Sequence, residues 1–324
     1  MKIVHVLATA ALITMSACGL EPGNESVEHT SSALSVQGTT LFGGRNIYAP
    51  TVIYDDQEHL YTMWYGGWQT DADYPNDRIF YRTSTDSVTW SDGAMVVSPK
   101  DAAHPGGVHV NDPSVTKTYN ALVNVWQYTM FYTYCYGGCS DAESEIWSTV
   151  STDGVHWSLH QPVLKAGATN PSVIYEPSAN GTIWKLYYIN RVEGAREVKM
   201  AQVSGYRTPI GVPISVFRPA STTIGDVEVR NIGGVWNLFY NKMGFTNVDV
   251  YLAKSSSNTS FTTGAPFIAT GGSTVFCAAL TPGILPLANG TYKFFFSLTE
   301  MPLTAGQCDL SNRTRAMQLW DVTP

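Results

Sequence analysis

The chain has 324 residues, of which only 14% carry a formal charge and 12% are aromatic. Charged residues make up about 25% of an average globular protein, and disordered chains combine low hydrophobicity with high net charge, so this composition excludes a disordered chain. The 28 glycines and 17 prolines argue against a helical bundle. A net charge of −7 argues against a nucleic-acid partner, because binding to a phosphate backbone relies on basic patches.

The first 17 residues predict an export signal. Lys2 precedes an apolar stretch from Ile3 to Ala17, which is shorter than the roughly 20 residues of a membrane span. Small residues directly before Cys18 resemble a bacterial lipoprotein cleavage site, which implies a lipid on Cys18; plain secretion is the alternative. We expect a bacterial outer-membrane or cell-surface lipoprotein, or a secreted protein, that meets the membrane only through this anchor.

Two further segments follow the signal. Residues 18–35 are polar and rich in Ser and Glu, which is typical of a flexible tether. Residues 36–324 form one predicted domain. This domain holds four cysteines, and an even number in an exported protein predicts two disulfides. Metal binding is the alternative, but no His or second close Cys pair completes a zinc set around Cys135 and Cys139.

A repeat of 55 to 63 residues runs through the domain. Four copies start with X-Pro, a small residue and an aliphatic one, and a fifth lacks the proline. The copies begin at Ala49, Asp112, Asn170, Asp226 and Thr281. Each start is followed by a strand rich in aromatic residues and then by a third strand.

A turn motif closes three of the units. Residues 84–90 match residues 151–157 position by position, and residues 255–261 are a weaker copy. Five repeats of about four strands predict an all-β fold, a five-bladed β-propeller with four-stranded blades. Val36 to Phe42 is the predicted fourth strand of the last blade, which closes the ring and hides two edges. A pair of β-sandwiches is the alternative, but it does not explain five equal periods.

In a propeller, the loops that enter strand one and the loops between strands two and three share one face, where ligands usually bind. Cys277 and Cys308 both fall in such loops of blade five, and Cys135 and Cys139 share one loop of blade two. We therefore predict the disulfides Cys135–Cys139 and Cys277–Cys308.

The X positions of the five motifs are expected to surround the mouth of the channel. Side chains alternate along a strand, so Glu228 faces the channel together with Asp226, and Asp112 joins them. Mutual repulsion and burial raise the pKa of such carboxyls, a condition for acid–base work on a glycosidic bond. We therefore predict Asp112, Asp226 and Glu228 as catalytic residues. The alternative is that Asp112 only caps a turn.

Further polar and aromatic groups fall in loops of the same face. We expect Trp68 to offer a sugar platform, whereas Trp64 packs inside a blade. His104 and His109 are expected to form hydrogen bonds rather than to bind a metal. No residue pattern predicts a cofactor, and none supports a structural calcium in the channel. The predicted substrate-binding residues are Asn170, Trp68, Asp77, His109, Arg191 and Glu145.

The motifs at Asp112–Val115 and Asn170–Val173, with Trp64–Gly67 and residues 151–157, resemble the arabinanase, β-xylosidase, levansucrase and invertase superfamily of five-bladed propellers. The resemblance covers residues 40–324 and implies hydrolysis or transfer of glycosyl units, often furanosides or xylosides. In arabinanase-like members a base Asp, a tuning Asp and an acid Glu start blades one, two and three. Ala49, Asp112 and Asn170 hold these positions here, so only Asp112 matches.

Two hypotheses follow. The first is an exported glycoside hydrolase with a shifted carboxylate set, which inverts if Asp112 and Asp226 are far enough apart to admit a water. The second is a non-catalytic carbohydrate-binding lipoprotein with the same fold. A sialidase-like enzyme is a distant third, because no Arg cluster lies on the first strands. Either main hypothesis implies an oligo- or polysaccharide partner and a monomer.

Overall fold

A computed structural model describes residues 38–68, 77–101, 107–121, 123–137, 139–165, 167–178, 181–191, 196–219, 224–243, 247–270, 276–300 and 314–322. All of them belong to the unit that runs from Ser35 to Pro324. Short runs of Val, Ile, Tyr, Phe and Trp between Gly, Asn and Pro form strands here, as such patterns usually do. The strands are β1 (Thr39–Arg45), β2 (Tyr48–Asp55), β3 (Leu60–Trp68), β4 (Asp77–Ser84), β5 (Ala94–Val97), β6 (Gly107–Asn120), β7 (Val125–Tyr136), β8 (Ser144–Ser151), β9 (Ser158–Leu164), β10 (Ala168–Ser178), β11 (Gly181–Asn190), β12 (Glu197–Ser204), β13 (Thr208–Phe217), β14 (Ile224–Ile232), β15 (Val235–Met243), β16 (Val248–Ser255), β17 (Ala265–Ile268), β18 (Phe276–Pro286), β19 (Tyr292–Glu300) and β20 (Thr314–Val322).

The strands form antiparallel groups of four in chain order. Strands β2–β5, β6–β9 and β10–β13 are three separate sheets. The remaining strands form one larger sheet, in which β14–β17 and the group of β18, β19, β20 and β1 meet through a single parallel pair, Val248 and Ala278. Among the described residues, the only helical element is a 3-10 turn at Asp141–Glu143. No helix within the described part of the chain is long and apolar enough to span a membrane.

Strand β1 pairs with β20, and Thr40 lies opposite Gln318. The predicted strand was Val36 to Phe42. The described strand starts at Thr39 and ends at Arg45, so the predicted end is three residues too early. A bulge between Thr40 and Phe42 lets the chain continue along β20 as far as Thr314. Residues 36 and 37 lie outside the described residues.

Each first strand carries an irregularity at the repeated motif. The pairing register shifts in β2, β6, β10, β14 and β18, each time at the X-Pro position or its equivalent. Ala49, Asp112 and Asn170 share a left-handed backbone there, with φ of 50°, 52° and 53°. Bulges re-aim side chains next to functional sites. The bulge therefore breaks the regular alternation of side chains at the first residue of the motif.

The first strands of the five groups are β2, β6, β10, β14 and β18. Neighbouring first strands are in contact through the third residue of the repeated motif. Thr51 Oγ1 accepts from Val115 N, Ser114 Oγ accepts from Val173 N at 2.9 Å, and Ser172 Oγ accepts from Val229 N at 2.9 Å. Glu228 holds the equivalent position in β14, and its carboxylate accepts from the Ile284 backbone of β18. Gly283 holds it in β18, where a Cβ would lie 2.1 Å from Pro50 O of β2. Only glycine allows this approach between β18 and β2.

The buried core consists of clusters between successive groups of four strands. One cluster joins Trp64 of β3 to Tyr132 of β7, and the next joins Phe131 of β7 to Trp184 of β11. Two more continue through β15 and β19. The cluster with Met63 and Phe295 joins β3 to β19, the first group to the last. Trp64 is fully buried, which confirms its predicted packing role.

The repeated turn motif has one local structure in its two strong copies. Asp86 Oδ1 accepts from Val88 N and Thr89 N, and Asp153 Oδ1 accepts in the same way from residues 155 and 156. These bonds lower the pKa of Asp86 to about 2. In the third copy Ser257 replaces the aspartate and receives a bond from Thr259 N.

Candidate functional site

A polar cavity of about 180 Å³ lies where the first strands begin, and we call it the upper cavity. Two groups of four strands and the start of β10 supply most of its wall, with Arg191 following β11. The lining residues are Asp77, His109, Asn111, Asp112, Thr133, Cys135, Cys139, Ser144, Thr169 and Arg191. Four of the predicted site residues, Asp77, His109, Asp112 and Arg191, are therefore brought together.

Asp112 is buried in the wall of the upper cavity, with 5% of its surface exposed. Its Oδ2 accepts a hydrogen bond from Thr133 Oγ1 at 2.8 Å, whereas its Oδ1 has no partner in the part of the chain that the structure describes. Burial and the negative charge of Asp226 raise the pKa of Asp112 well above its usual value. The bond from Thr133 and the charge of Arg191 act in the opposite direction but do not cancel the rise. Burial and the charge of Asp226 therefore favour the protonated form of the Asp112 carboxyl.

Asn170 links Asp226 to the upper cavity. Its Nδ2 donates to Asp226 Oδ1, its Oδ1 accepts from Arg191 Nη2 at 3.3 Å, and its backbone N–H donates to Thr133 Oγ1 at 2.9 Å. Asp226 itself is half-buried and does not line the cavity. The amide of Asn170 thus holds Asp226 beside Asp112.

Asp77 and His109 form a hydrogen-bonded pair in the cavity wall. Asp77 is the first residue of β4, and His109 lies near the start of β6. His109 Nδ1 lies 2.9 Å from Asp77 Oδ2 and 3.0 Å from Asp77 N. Asn46 Nδ2 donates to the other carboxylate oxygen, Oδ1, at 2.7 Å. The carboxylate of Asp77 is thus fixed from both sides.

Tyr48 and Asn111 complete this side of the site. Asn111 Nδ2 donates to the Tyr48 hydroxyl at 2.8 Å, and the guanidinium carbon of Arg315 lies 5.4 Å from the centre of the Tyr48 ring. Burial, followed by the charges of Asp77 and Asp112, raises the pKa of Tyr48 well above its usual value. Tyr48 therefore remains a neutral phenol.

Unpartnered polar atoms concentrate around the upper cavity. Four of its lining residues have a buried side-chain atom that forms no hydrogen bond with any described residue. These atoms are Asn111 Oδ1, Asp112 Oδ1, Thr169 Oγ1 and Arg191 Nε. Buried polar atoms are normally satisfied, because leaving one unpaired costs about 1–3 kcal/mol. Donors and acceptors left open at one cavity are typical of a site that binds a polar ligand.

Glu228 lies outside the upper cavity, in a smaller cavity that is also lined by Asp112. It lines this cavity of about 20 Å³ with Pro50, Pro113, Pro171 and Pro282. Glu228 Oε1 forms an ion pair with Arg230 Nη2 at 2.5 Å. Burial raises the pKa of Glu228, against the opposing charge of Arg230. The structure therefore places this carboxylate among backbone contacts between first strands.

Two other predicted binding residues do not reach the upper cavity. Trp68 is the last residue of β3, and Arg45 stacks on its ring at 5.2 Å. Glu145 is buried, and its Oε2 accepts from Trp147 Nε1 at 2.8 Å. The carboxylate of Glu145 is therefore the hydrogen-bond acceptor of the Trp147 indole. His104 lies outside the described residues.

The disulfide Cys135–Cys139 is present, which confirms that prediction, and it forms part of the cavity wall. Cys277 is buried and also disulfide-bonded. Its predicted partner Cys308 and the predicted lipid site Cys18 lie outside the described residues, so the pairing Cys277–Cys308 stays a prediction. Among the described residues, no group of three or more His, Cys, Asp or Glu side chains is arranged to hold a metal ion.

Sequence reasoning missed three lining residues, Asn111, Thr133 and Thr169, and also Tyr48, whose hydroxyl accepts a hydrogen bond from Asn111. Three of them adjoin an X position, at residues 48, 111 and 169. The bulges at Asp112 and Asn170 bring the preceding residues, Asn111 and Thr169, to the cavity as well. Thr133 was detectable only through strand pairing, since it lies opposite Asn111 on β7.

The sequence matches no protein-family model and no curated protein sequence. The fold is similar to that of solved glycoside hydrolases. One is an exo-1,5-α-L-arabinanase from a bovine ruminal metagenomic library, with 14% identity over 85% of this chain and 93% of the other and a TM-score of 0.62. Another is a thermostable family-43 glycoside hydrolase, with 12% identity over 86% and 90% of the chains and a TM-score of 0.60.

A third similar structure is an N-acetylgalactosamine deacetylase from F. plautii in complex with blood group B trisaccharide. It shares 13% identity over 88% of this chain and 94% of the other, with a TM-score of 0.59. These likenesses establish a glycoside hydrolase-like fold. They do not define the reaction, because one fold can carry several chemistries.

Proposed function

We propose that this protein is an exported glycoside hydrolase that binds a glycan at the upper cavity. The observation that carries the proposal is the buried Oδ1 of Asp112, which has no hydrogen-bond partner among the described residues and shares its cavity with three other such atoms. A sugar hydroxyl or a glycosidic oxygen can satisfy such atoms. The glycoside hydrolases with a similar fold support this choice of ligand.

Asp112 is the proposed general acid. A group that protonates a leaving oxygen must hold its proton at the working pH, and a raised pKa does this for a carboxyl. Burial and Asp226 raise the pKa of Asp112. Asp226 is then a tuning residue, held in place by Asn170. We further propose that the enzyme inverts, which requires an acid and a base far enough apart to admit a water; the separation is about 6.5–9.5 Å where both groups are carboxyls.

The proposed architecture is a five-bladed β-propeller closed by β1. Its support is the run of contacts between first strands, in which β2 touches β6, β6 touches β10, β10 touches β14, β14 touches β18 and β18 touches β2. The pairing of β1 with β20 adds a fourth strand to the last group. The core cluster between β3 and β19 also supports closure.

Export is the proposed localisation, with the lipid on Cys18 as the anchor and a monomer as the mature form. The disulfide Cys135–Cys139 supports it, because disulfides persist mainly in oxidising compartments. Mass spectrometry of the mature N-terminus tests this point: an acylated Cys18 is expected, and an intact Met1 in the purified cell-envelope protein contradicts it.

A non-catalytic glycan-binding protein is the second candidate. One observation favours it: Ala49 and Asn170 stand where the resemblance implies the base and acid carboxyls. Ala49 cannot take up a proton, and Asn170 already donates to Asp226. This candidate keeps the same ligand at the same cavity and removes the reaction.

A screen separates the two candidates. The wild-type protein is assayed on 4-nitrophenyl furanosides and pyranosides and on plant and microbial polysaccharides, and binding is measured in parallel by calorimetry. Hydrolysis with an inverted product, seen by NMR at early times, is the expected result. Binding without cleavage of any compound establishes the second candidate. Neither binding nor cleavage overturns the assignment of the cavity.

A further inference from the structure

The upper cavity holds a His–Asp pair whose two members come from different sheets. Asp77 opens β4 and His109 lies near the start of β6, so the pair forms only when the two groups of strands pack together. His109 Nδ1 lies 2.9 Å from Asp77 Oδ2. A quarter of the His109 side chain is exposed, and it faces the upper cavity.

The contact with Asp77 sets the tautomer of His109. A nitrogen lone pair and a carboxylate oxygen repel each other at this distance, so a proton lies between them. The Asp77 backbone N–H is also 3.0 Å from Nδ1 and suits the opposite tautomer. The full charge of the carboxylate outweighs the partial charge of an amide at an equal distance. In the neutral ring, Nδ1 therefore carries the proton and the lone pair is on Nε2.

The second ring nitrogen is available for chemistry. Among the described residues, none forms a hydrogen bond with His109 Nε2. A neutral imidazole that is held by a carboxylate through Nδ1 is the usual arrangement of a histidine base. Such a base is needed here, because the position that the resemblance assigns to the base holds Ala49.

We propose that His109 is the general base of this site and that Asp77 is its positioning residue. The inference rests on the proposed hydrolase function. Nε2 removes a proton from a water, the water oxygen bonds to the anomeric carbon, and the glycosidic C–O bond breaks. The departing oxygen takes the proton of Asp112. His109 gains one proton, Asp112 loses one, and exchange with solvent restores both.

Hydrogen bonds from Arg78 hold the chain segments that carry His109 and Asp77. Arg78 Nη1 donates to the Asp77 carbonyl at 2.9 Å and to the Val108 carbonyl at 3.3 Å, which fixes both chain segments of the pair. Asp112 and Arg191 line the same cavity as His109. An imidazolium that forms during the reaction is thus stabilised by the adjacent carboxylate of Asp77.

Variants of His109 test the proposal on an aryl glycoside that the wild type hydrolyses in the screen above. His109→Ala and His109→Gln are compared with Asp77→Asn, each with melting temperature and calorimetric binding as folding controls. The chain offers a matched control in His156, whose Nδ1 lies 2.7 Å from Asp153 Oδ2 in an exposed turn. His156→Ala removes the same kind of pair away from the cavity.

Substrates with two different leaving groups distinguish the loss of a general base from the loss of a general acid. Loss of a base slows the attack of water on every substrate, so His109→Ala should lower kcat by about 100-fold or more on both 4-nitrophenyl and 2,4-dinitrophenyl glycosides, within the usual range for general catalysis. KM should change little. Added imidazole should restore part of the rate of His109→Ala but not of His109→Gln. His156→Ala should match the wild type.

Three results overturn the proposal. The first is an unchanged kcat in both His109 variants of an active enzyme. This result contradicts the role of His109 as the base and leaves the proposed hydrolase function intact. The second is a loss of activity in Asp77→Asn alone, which makes the carboxylate itself the base. The third is a wild type that binds glycans and cleaves none, which removes the hydrolase function and the base together.

Discussion

Thr133 Oγ1 donates a hydrogen bond to Asp112 Oδ2 over 2.8 Å and accepts one from Asn170 N over 2.9 Å. One hydroxyl thus connects two X positions of the repeated motif on β6 and β10. Because its hydrogen points at the carboxyl of Asp112, Thr133 lowers the pKa of that group, against burial and Asp226. The hydroxyl sets both the position and the acidity of the proposed acid.

Replacing this hydroxyl should shift the pH dependence of the reaction. Thr133→Val removes a bond that favours ionised Asp112, so the pKa of Asp112 rises further. The alkaline limb of the pH–rate profile should then move to higher pH, since Asp112 keeps its proton longer. Thr133→Ser retains the hydroxyl and should keep the wild-type profile. An alkaline limb that moves to lower pH in Thr133→Val would contradict the role of Asp112.

The buried carboxyl of Asp112 should also cost stability as the pH rises. Its folded pKa lies above its unfolded value of about 3.9, so its contribution to stability is fully present below that pH and is lost as the pH rises towards the folded pKa. Asp112→Asn removes the titration. The gain in unfolding free energy over wild type should grow by up to about 1.4 kcal/mol per pH unit across this window.

Denaturant unfolding of Asp112→Asn and wild type at a series of pH values measures this gain. The gain should disappear at the acidic end, where the wild-type carboxyl is neutral in both states. A gain that does not depend on pH would show that the Asp112 carboxyl titrates alike in the folded and unfolded chain.

Glu228 should matter to stability more than to the reaction. Glu228→Gln takes the charged partner from the half-buried guanidinium of Arg230, which keeps a backbone carbonyl acceptor, and loss of such a contact costs about 1–3 kcal/mol. We expect a lower melting temperature and, at a temperature where the variant is folded, a kcat close to wild type. A loss of kcat with unchanged stability would restore Glu228 as a catalytic residue.

The disulfide Cys135–Cys139 should support ligand binding. It closes a short loop, which corresponds to about 2 kcal/mol in the chain-entropy estimate, and both cysteines line the upper cavity. The double variant Cys135→Ser/Cys139→Ser should melt at a lower temperature and bind the glycan more weakly. An unchanged dissociation constant in calorimetry would mean that the wall segment 135–139 does not contact the ligand.

Much of the fold could be predicted from the sequence, because each repeat contains short motifs that mark the start of a strand or a turn. The X-Pro motif marks the bulge of each first strand, and the turn aspartates are visible at Asp86 and Asp153. Alternation along the strand predicted that Glu228 faces the channel together with Asp226, whereas the structure places Glu228 outside the upper cavity, after a register shift in β14. Arg230 follows Glu228 by two residues, so the two side chains lie on the same side of the strand. This spacing indicates the ion pair between them, which the sequence analysis missed.

The pairing of Asp77 with His109 could not be predicted from the sequence. Each residue was assigned to the binding face, but their contact depends on how β4 and β6 of two sheets pack, and no local pattern encodes that distance. The same holds for Asn170 and Asp226, which lie 56 positions apart and meet through one hydrogen bond. Propensity and periodicity describe single strands, whereas the site forms between them.

The central claim is that Asp112 protonates the leaving group of a glycoside bound in the upper cavity. The most direct test is the activity of Asp112→Asn on aryl glycosides that differ only in their leaving group. A 2,4-dinitrophenolate departs without a proton, so its glycoside should react at close to the wild-type rate, whereas a 4-nitrophenyl or unactivated glycoside should lose about 100-fold or more. Equal loss on all substrates, or no loss on any, would contradict the assignment of Asp112 as the general acid.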